Sequence, residues 1–127
     1  MLRSMFVHTN ECGIVKLSPE SLTLVADFFK VLSEVSRLQI LCALRSGAKN
    51  VTEIMAATQL GQANVSKHLK ILTQAGLVER EQRGVCVYYH IASKYIFQLC
   101  DLVCDMLTEQ IQQQAQQLQE LSHLKLN

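Results

Sequence analysis

The chain has 127 residues, of which 49 % are hydrophobic, enough for one domain with its own core. No apolar run approaches the roughly 18 residues of a membrane-spanning helix, and the first ten residues do not have the pattern of a secretory signal. We therefore expect a cytoplasmic protein without a membrane partner. Its five cysteines show no paired spacing, which argues against a disulfide framework and for reduced thiols.

The charge of the chain is unevenly distributed, although the formal net charge is only +1. Residues 54–78 contain Lys67 and Lys70 and no acidic residue, whereas residues 84–127 are mildly acidic. A binding surface is set by local charge, so the middle of the chain is the better candidate for contact with nucleic acid.

Two helices are predicted in the first part of the chain. Ser18 and Pro19 have the pattern of an N-cap and first helical residue, and apolar residues then recur at helical spacing to Leu32. The four residues 33–36 predict a break. A second helix is then predicted over about 37–45.

Two further helices, separated by a tight turn, are predicted in the middle of the chain. Asn50 and Glu53 form the pattern of a capping box at the start of a short helix. Gly61 breaks this helix, and the next one is predicted over about 62–74 and ends at Gly76. Two short helices joined in this way are typical of a helix-turn-helix.

The hydrophobic period then changes from helical to alternating. The segments "LVERE" and "VCVYYHI" predict two strands joined by a turn at 82–84. From Ser93 a helical period returns and continues to about Leu121, with a glutamine-rich end that we interpret as helix; an end disordered after about Ala115 is the alternative.

This order of elements predicts a mainly α fold with a small β-hairpin wing, a winged helix-turn-helix of the α+β class. The predicted organisation is an N-terminal extension at 1–17, a DNA-binding domain at 18–92 and a long C-terminal helix at 93–127.

The second helix of the helix-turn-helix has the surface that DNA recognition requires. Its predicted outer side is polar and basic and lacks carboxylates that would repel phosphate. Gln and Asn can read adenine edges, Lys can contact guanine or phosphate, and wing arginines can reach the backbone. The candidate contacts are Gln62, Asn64, Ser66, Lys67, Lys70, Arg80 and Arg83. For the helix side alone or the wing arginines alone, an ordinary solvent-exposed surface is the alternative, but the combination of the two favours DNA binding.

The sequence resembles the ArsR/SmtB family of winged-helix repressors over roughly residues 24–105. The resemblance is carried by "SRLQIL" at 36–41, "VSKHLKIL" at 65–72 followed by "AGLVERE", and "RGVCVYYHI" in the wing. It implies a homodimer whose first and last helices pair across the two-fold axis, so that residues 93–127 are a dimerisation helix. It also implies a palindromic double-stranded operator that is released when an inducer, often a metal ion, binds.

The resemblance also assigns roles to single residues. It implies groove contacts by Gln62, Asn64, Ser66 and Lys67 and a wing contact by Arg83, whereas His68 is expected to be structural. No enzymatic activity is expected, because the chain has no phosphate loop or oxyanion motif, and DNA binding requires no cofactor.

Two cysteines on the last helix are the candidate inducer site. The thiolate and zinc motifs that the family carries elsewhere are absent from this sequence. Cys100 and Cys104 are neighbours one helical turn apart, and thiolates favour thiophilic species such as an arsenite-like As(III) or a soft divalent metal. Arsenite-like metalloids require three sulfurs, and Cys12 is the candidate for the third.

Two other interpretations of the cysteines stay open. In the first, Cys100 and Cys104 serve only as small packing residues. Alternatively, Cys42 matches a cysteine that reactive-sulfur or oxidant sensors of the family carry, and would pair with Cys104 as a redox switch. Carboxylates at Asp101 and Asp105 disfavour the thiolate, which favours a cation over oxidation. Cys42 itself is expected to pack in the core, and Cys86 has no predicted role.

Overall fold

The structure, a computed structural model, describes residues 16–126, with side chains to Lys125. Over that range the chain forms five helices and a two-stranded antiparallel sheet. In chain order they are α1 (Pro19–Leu32), α2 (Val35–Leu44), α3 (Val51–Thr58), α4 (Gln62–Gln74), β1 (Val78–Arg83), β2 (Cys86–Ile91) and α5 (Ile96–Leu126). The predicted winged helix-turn-helix is confirmed in its element order.

The helix starts follow the side chains that cap them. The Ser18 side chain accepts a hydrogen bond from the Ser21 amide at 3.2 Å, as the pattern at 18–19 predicts. Helix α2 starts two residues before the predicted position, because it begins after Glu34, which makes no side-chain capping bond. A start without a capping side chain leaves no signature in the sequence.

A single cluster of apolar side chains from α2, α3, α4 and the start of β1 forms the core of the winged domain. The buried members are Ile40, Leu41, Leu44, Ile54, Val65, Leu69, Leu72, Leu77 and Val78. This cluster lies in the first of the two compact units into which the chain divides, before Ala92.

The hairpin turn lies further along the chain than predicted. Arg83 pairs with Cys86 in the β1–β2 ladder, so the turn consists of Gly84 and Val85, not of residues 82–84. Gly84 has a φ of +63°, which a two-residue hairpin favours at its first position and which glycine adopts without strain. The predicted turn was wrong because Gln82 and Arg83 have no turn chemistry of their own and extend the strand.

The hairpin is tied to the helix-turn-helix by backbone hydrogen bonds. The amide of Lys49, just before α3, donates to the carbonyl of Tyr89 at 3.0 Å, and the Tyr89 amide donates to the Lys49 carbonyl at 2.8 Å. These two bonds fix the base of β2 beside the start of the helix-turn-helix.

Helix α5 forms the second compact unit, after Ile91. It starts three residues later than predicted, at Ile96, and continues to Leu126. The alternative of a disordered end after Ala115 is therefore wrong for the described residues. Among the residues that the structure describes, no helix has both the length and the apolar composition to cross a membrane.

The capping box of α3 provides a test of this local structure. The Glu53 amide donates to Asn50 Oδ1 at 2.8 Å, and the Asn50 amide donates to Glu53 Oε1 at 3.0 Å. We expect Asn50→Ala to lower the free energy of unfolding by about 1 kcal/mol, because it leaves an amide of the first turn without a partner. Thr52→Ala, at an exposed position of the same helix, is the control. Urea unfolding measures both; equal stabilities of the two variants would contradict the cap.

Candidate nucleic-acid interface and thiol pair

Helix α4 has one buried side and one exposed side. Val65, Leu69 and Leu72 are at most 1 % exposed, which confirms the predicted apolar stripe. His68 lies on the same side, 7 % exposed, and its Nδ1 has no hydrogen-bond partner among the described residues. His68 is therefore a buried residue of the helix and does not face outward.

The opposite side of α4 presents the five predicted polar side chains to solvent. All five are exposed: Gln62, Asn64, Ser66, Lys67 and Lys70. The helix contains no acidic residue, and neither lysine ammonium forms an ion pair within residues 16–125. The positive charge of this side is therefore not compensated by an ion pair with another described residue, and is available to an anion.

A polar depression of about 230 Å³ lies between the second half of α4 and the base of the hairpin. It contains two cations and no carboxylate, and the Oγ1 atom of Thr73 is buried there without a hydrogen-bond partner in the described part of the chain. Its lining residues are Ser66, Lys70, Thr73, Gln74, Arg80 and Tyr89. Two cations without a carboxylate among the lining side chains are suited to an anionic oxygen.

The two faces of the hairpin differ in charge. On one face, His90 Nε2 lies 3.0 Å from Glu79 Oε2. On the same face, Arg83 donates to Glu81 at 3.1 Å and its guanidinium lies 4.8 Å from the centre of the Tyr88 ring. Because side chains alternate along a strand, both carboxylates of β1 are on this face, one beside the His90 ring and the other beside the Arg83 guanidinium.

Arg80 lies on the other face of the hairpin, opposite Tyr89 in the ladder, and lines the polar depression with Lys70. Its guanidinium has no ion-pair partner within the described residues. The structure therefore separates the two predicted wing arginines. Arg80 joins the exposed side of α4, whereas Arg83 lies near the turn and is already paired with Glu81.

Three residues of the depression were not predicted from the sequence. Thr73 and Gln74 follow Ser66 and Lys70 at helical spacing, so the period of α4 could have predicted that they lie on the same side of the helix. Tyr89 belongs to the depression because it pairs with Arg80, and this requires the hairpin register, which the predicted turn did not give.

Cys100 and Cys104 lie one turn apart on α5 as reduced thiols, the first half-buried and the second exposed. Residues three or four apart on a helix have Cβ atoms about 5–6 Å from each other, close enough for both sulfurs to contact one soft ion. Asp101 and Asp105 are exposed beside them.

The thiol pair alone does not complete a metal site. Within residues 16–125, no three His, Cys, Asp or Glu side chains are grouped so that they could hold a metal ion. Cys12, the predicted third ligand, lies outside the described residues. The described part of the chain therefore supplies two thiols, and a three-coordinate species would need a further ligand from elsewhere.

Cys42 is exposed, so the prediction that it packs in the core is wrong. Its neighbours Leu41 and Leu44 fill the core side of α2, and Cys42 lies beyond the edge of that stripe. It opens onto a shallow, mainly apolar groove lined by Val35, Leu38, Gln39, Ala43, Ala57 and Thr58. Cys86, at the start of β2, is also exposed.

Comparison with known proteins agrees with this architecture. Residues 34–80 match the family described as bacterial regulatory protein, arsR family. The chain is 32 % identical over 99 residues to a transcriptional repressor SmtB homolog of Synechocystis, covering 74 % of this chain and 75 % of that protein. The chain belongs to the arsR family.

Solved structures extend the likeness to the fold. Rv0081 of Mycobacterium tuberculosis has a TM-score of 0.70 at 28 % identity, over 78 % of this chain and 99 % of that one. A homodimeric winged helix-turn-helix DNA-binding domain of Mycobacterium bovis has a TM-score of 0.66 at 33 % identity, over 77 % of this chain and 94 % of that one. The arsR-family chain is thus a winged helix-turn-helix transcriptional regulator and not an enzyme, as predicted.

Proposed function

We propose that this arsR-family chain is a dimeric repressor that binds a palindromic operator and leaves it when a thiophilic inducer binds Cys100 and Cys104. The observation that carries the DNA-binding surface is the acid-free exposed side of α4, continuous with the polar depression that contains Arg80. Its cations have no partner in the described part of the protein, so DNA phosphates can pair with them without first breaking an ion pair.

The side chains of this surface divide into two groups by chemistry. Gln62 and Asn64, near the start of α4, carry amides that can pair with base edges in the major groove. Lys70 and Arg80, in the depression, are suited to phosphate, which positions the protein without reading sequence. Ser66 and Lys67 lie between the two groups.

Arg83 has a smaller role in this proposal than the resemblance implies. Its guanidinium is paired with Glu81 and packed against the Tyr88 ring, so a contact with DNA would have to displace the carboxylate. Its side chain is 51 % exposed, and such an ion pair has a small net free energy. Arg83 therefore contributes less attraction for phosphate than Arg80.

A dimer provides the two recognition helices that a palindrome requires. Large apolar side chains are exposed on α1, among them Leu24 at 72 % and Phe29 at 50 %, and on α5, where Leu107 is 48 % exposed. Several large apolar side chains exposed on one helix are typical of an interface with another chain. Pairing of α1 and α5 across a two-fold axis would cover these side chains and present two α4 helices to successive major grooves.

The inducer proposal rests on the two thiols of α5. As(III) or a soft divalent metal prefers thiolate ligands, and Cys12 or a cysteine of a second copy would complete the coordination. The protein would hold this species with Cys100 and Cys104 on one helix and a third sulfur from another segment. An inducer that binds the DNA-free form more tightly lowers the affinity for DNA by the same factor.

A redox switch is the second candidate, favoured by the exposure of Cys42 beside an apolar groove. Both Cys42 and Cys104 are accessible thiols in the structure. With peroxide as oxidant, the two thiols give up two protons and two electrons, form one S–S bond and reduce the peroxide to two waters.

The phosphate contacts can be tested by the salt dependence of operator binding. We expect Lys70→Gln and Arg80→Gln each to weaken binding to operator and to random DNA alike, and to reduce the slope of log K against log salt by about one. Fluorescence anisotropy of labelled DNA over a salt series measures both quantities. Arg83→Gln is the matched control, with a smaller change expected; a wild-type slope in Lys70→Gln and Arg80→Gln would remove them from the interface.

The inducer site can be tested by titrating the protein–operator complex with arsenite. The wild-type protein is expected to release the DNA, and Cys100→Ser/Cys104→Ser to stay bound, because the serine hydroxyl does not replace a thiolate for a soft ion. Cys86→Ser, which removes an exposed thiol of the wing, is expected to respond like the wild type. Equal release by the double variant and the wild type would show that the assigned site is wrong.

The redox alternative predicts a defined product. After treatment with peroxide or polysulfide, mass spectrometry should find a crosslinked peptide that joins Cys42 to Cys104, and Cys42→Ser should abolish it together with any oxidant-induced release of DNA. Oxidised protein that releases the operator without a crosslink at Cys42 would exclude this switch.

A further inference from the structure

The polar depression between α4 and the hairpin is lined by hydrogen-bond donors and by no acidic side chain. Ser66, Lys70 and Gln74 line it from α4. Arg80 and Tyr89 line it from the hairpin. None of these five side chains forms a hydrogen bond or an ion pair within the described part of the chain. Two charged and three neutral donor groups therefore surround one concavity with their hydrogen-bonding capacity unused.

The volume of the depression and its donors favour a small oxyanion. The depression holds about 230 Å³, whereas pockets for drug-sized ligands have about 300–1,000 Å³. A guanidinium can pair with two oxygens of one phosphate group, and an ammonium adds a point charge. Donors on two walls are better suited to an ion with several oxygen atoms than to a single-atom anion such as chloride. The depression thus fits one phosphate group.

Both walls of the depression are held in place by the protein itself. The α4 wall is anchored by Leu69 and Leu72, which are at most 1 % exposed. The hairpin wall begins at Val78, also 1 % exposed, and the backbone of Tyr89 is bonded to that of Lys49. The position of the walls therefore does not depend on DNA. A preorganised site binds its ligand at a smaller entropic cost, so a free phosphate ion can bind there without a DNA chain attached to it.

The other face of the hairpin shows why the depression is the better anion site. Arg83 lies there, 3.1 Å from an oxygen of Glu81. An anion bound at Arg83 would lie close to this carboxylate and be repelled by it. In the depression, the positive charges of Lys70 and Arg80 match those of a phosphate dianion, and no carboxylate lines the site to oppose the attraction.

We propose that the polar depression binds one free phosphate ion in the DNA-free protein, and that this ion competes with the operator. Lys70 and Arg80 supply the charge, and the Tyr89 hydroxyl donates a neutral hydrogen bond from the hairpin side. A free phosphate and a phosphate of the DNA backbone exclude each other from one concavity, so each lowers the affinity for the other. The competition rests on the proposed DNA-binding function, whereas the binding of free phosphate does not.

Phosphate binding can be tested with the full-length chain in the absence of DNA. The probe is inorganic phosphate, titrated at an ionic strength kept constant with chloride and followed by the amide NMR chemical shifts. We expect saturable binding by the wild type and a dissociation constant about tenfold higher or more in Arg80→Gln, which loses a charged donor. Tyr89→Phe loses one neutral donor, and its constant is expected to rise about threefold. Lys30→Gln removes the same charge from an exposed position of α1 outside the depression, and should bind like the wild type.

A second arm measures the competition with DNA. Fluorescence anisotropy of labelled operator is expected to show weaker binding in phosphate than in chloride at the same ionic strength, and Arg80→Gln should abolish this difference. If phosphate produces no saturable shifts, or binds the wild type, Arg80→Gln and Tyr89→Phe equally, the depression is not a phosphate site and the proposal is overturned. Equal operator binding by the wild type in the two salts would refute the competition. Failure of every protein to bind the operator would contradict the proposed function and leave the phosphate titration intact.

Discussion

The burial of one side of α4 is the constraint from which the rest of the interface follows. Val65, Leu69 and Leu72 are almost inaccessible and lie in the core together with α2 and α3. A helix turns by about 100° per residue, so anchoring these three positions leaves Ser66, Lys67 and Lys70 no orientation except outward. Any rotation that hid the polar side would bury unpaired ammonium groups, which is far more costly than the loss of a few apolar contacts. The core thus defines the DNA-facing side.

The hairpin adds to this surface because of a second geometric rule, the alternation of side chains along a strand. The sequence Glu-Arg-Glu at 79–81 places Arg80 on one face and both carboxylates on the other. The carboxylates lie beside His90 and Arg83, away from the polar depression. The backbone bonds between Lys49 and Tyr89 hold this register against the helix-turn-helix. A hairpin that carries two carboxylates is therefore compatible with a basic interface, which the total charge of the chain does not indicate.

The features that the sequence predicts are those encoded within one helix or one turn. The Ser18 and Asn50 caps and the apolar stripe of α4 are local signals, and the structure has them where they were predicted. The features that were missed depend on pairing between segments. Placing Arg80 and Arg83 in different surroundings requires knowledge of which residues of β1 and β2 pair in the hairpin. The exposure of Cys42 depends on how much of α2 the neighbouring helices cover, since the helical period alone does not distinguish the edge of a stripe from its centre. The DNA-contact and inducer roles stay predictions.

The position of the thiol pair on α5 has a geometric consequence for the proposed dimer. Cys100 and Cys104 lie on the same helix as the exposed apolar side chains that are proposed to pair with a second copy. If that pairing includes the first half of α5, the thiols of both copies lie near one contact, and a second copy can supply the sulfur that a three-coordinate ion requires. A ligand that bridges two copies has a different affinity for each arrangement of those copies, and this difference is what a switch requires. An isolated surface thiol such as Cys86 has no such coupling, because binding there does not depend on how two chains are arranged.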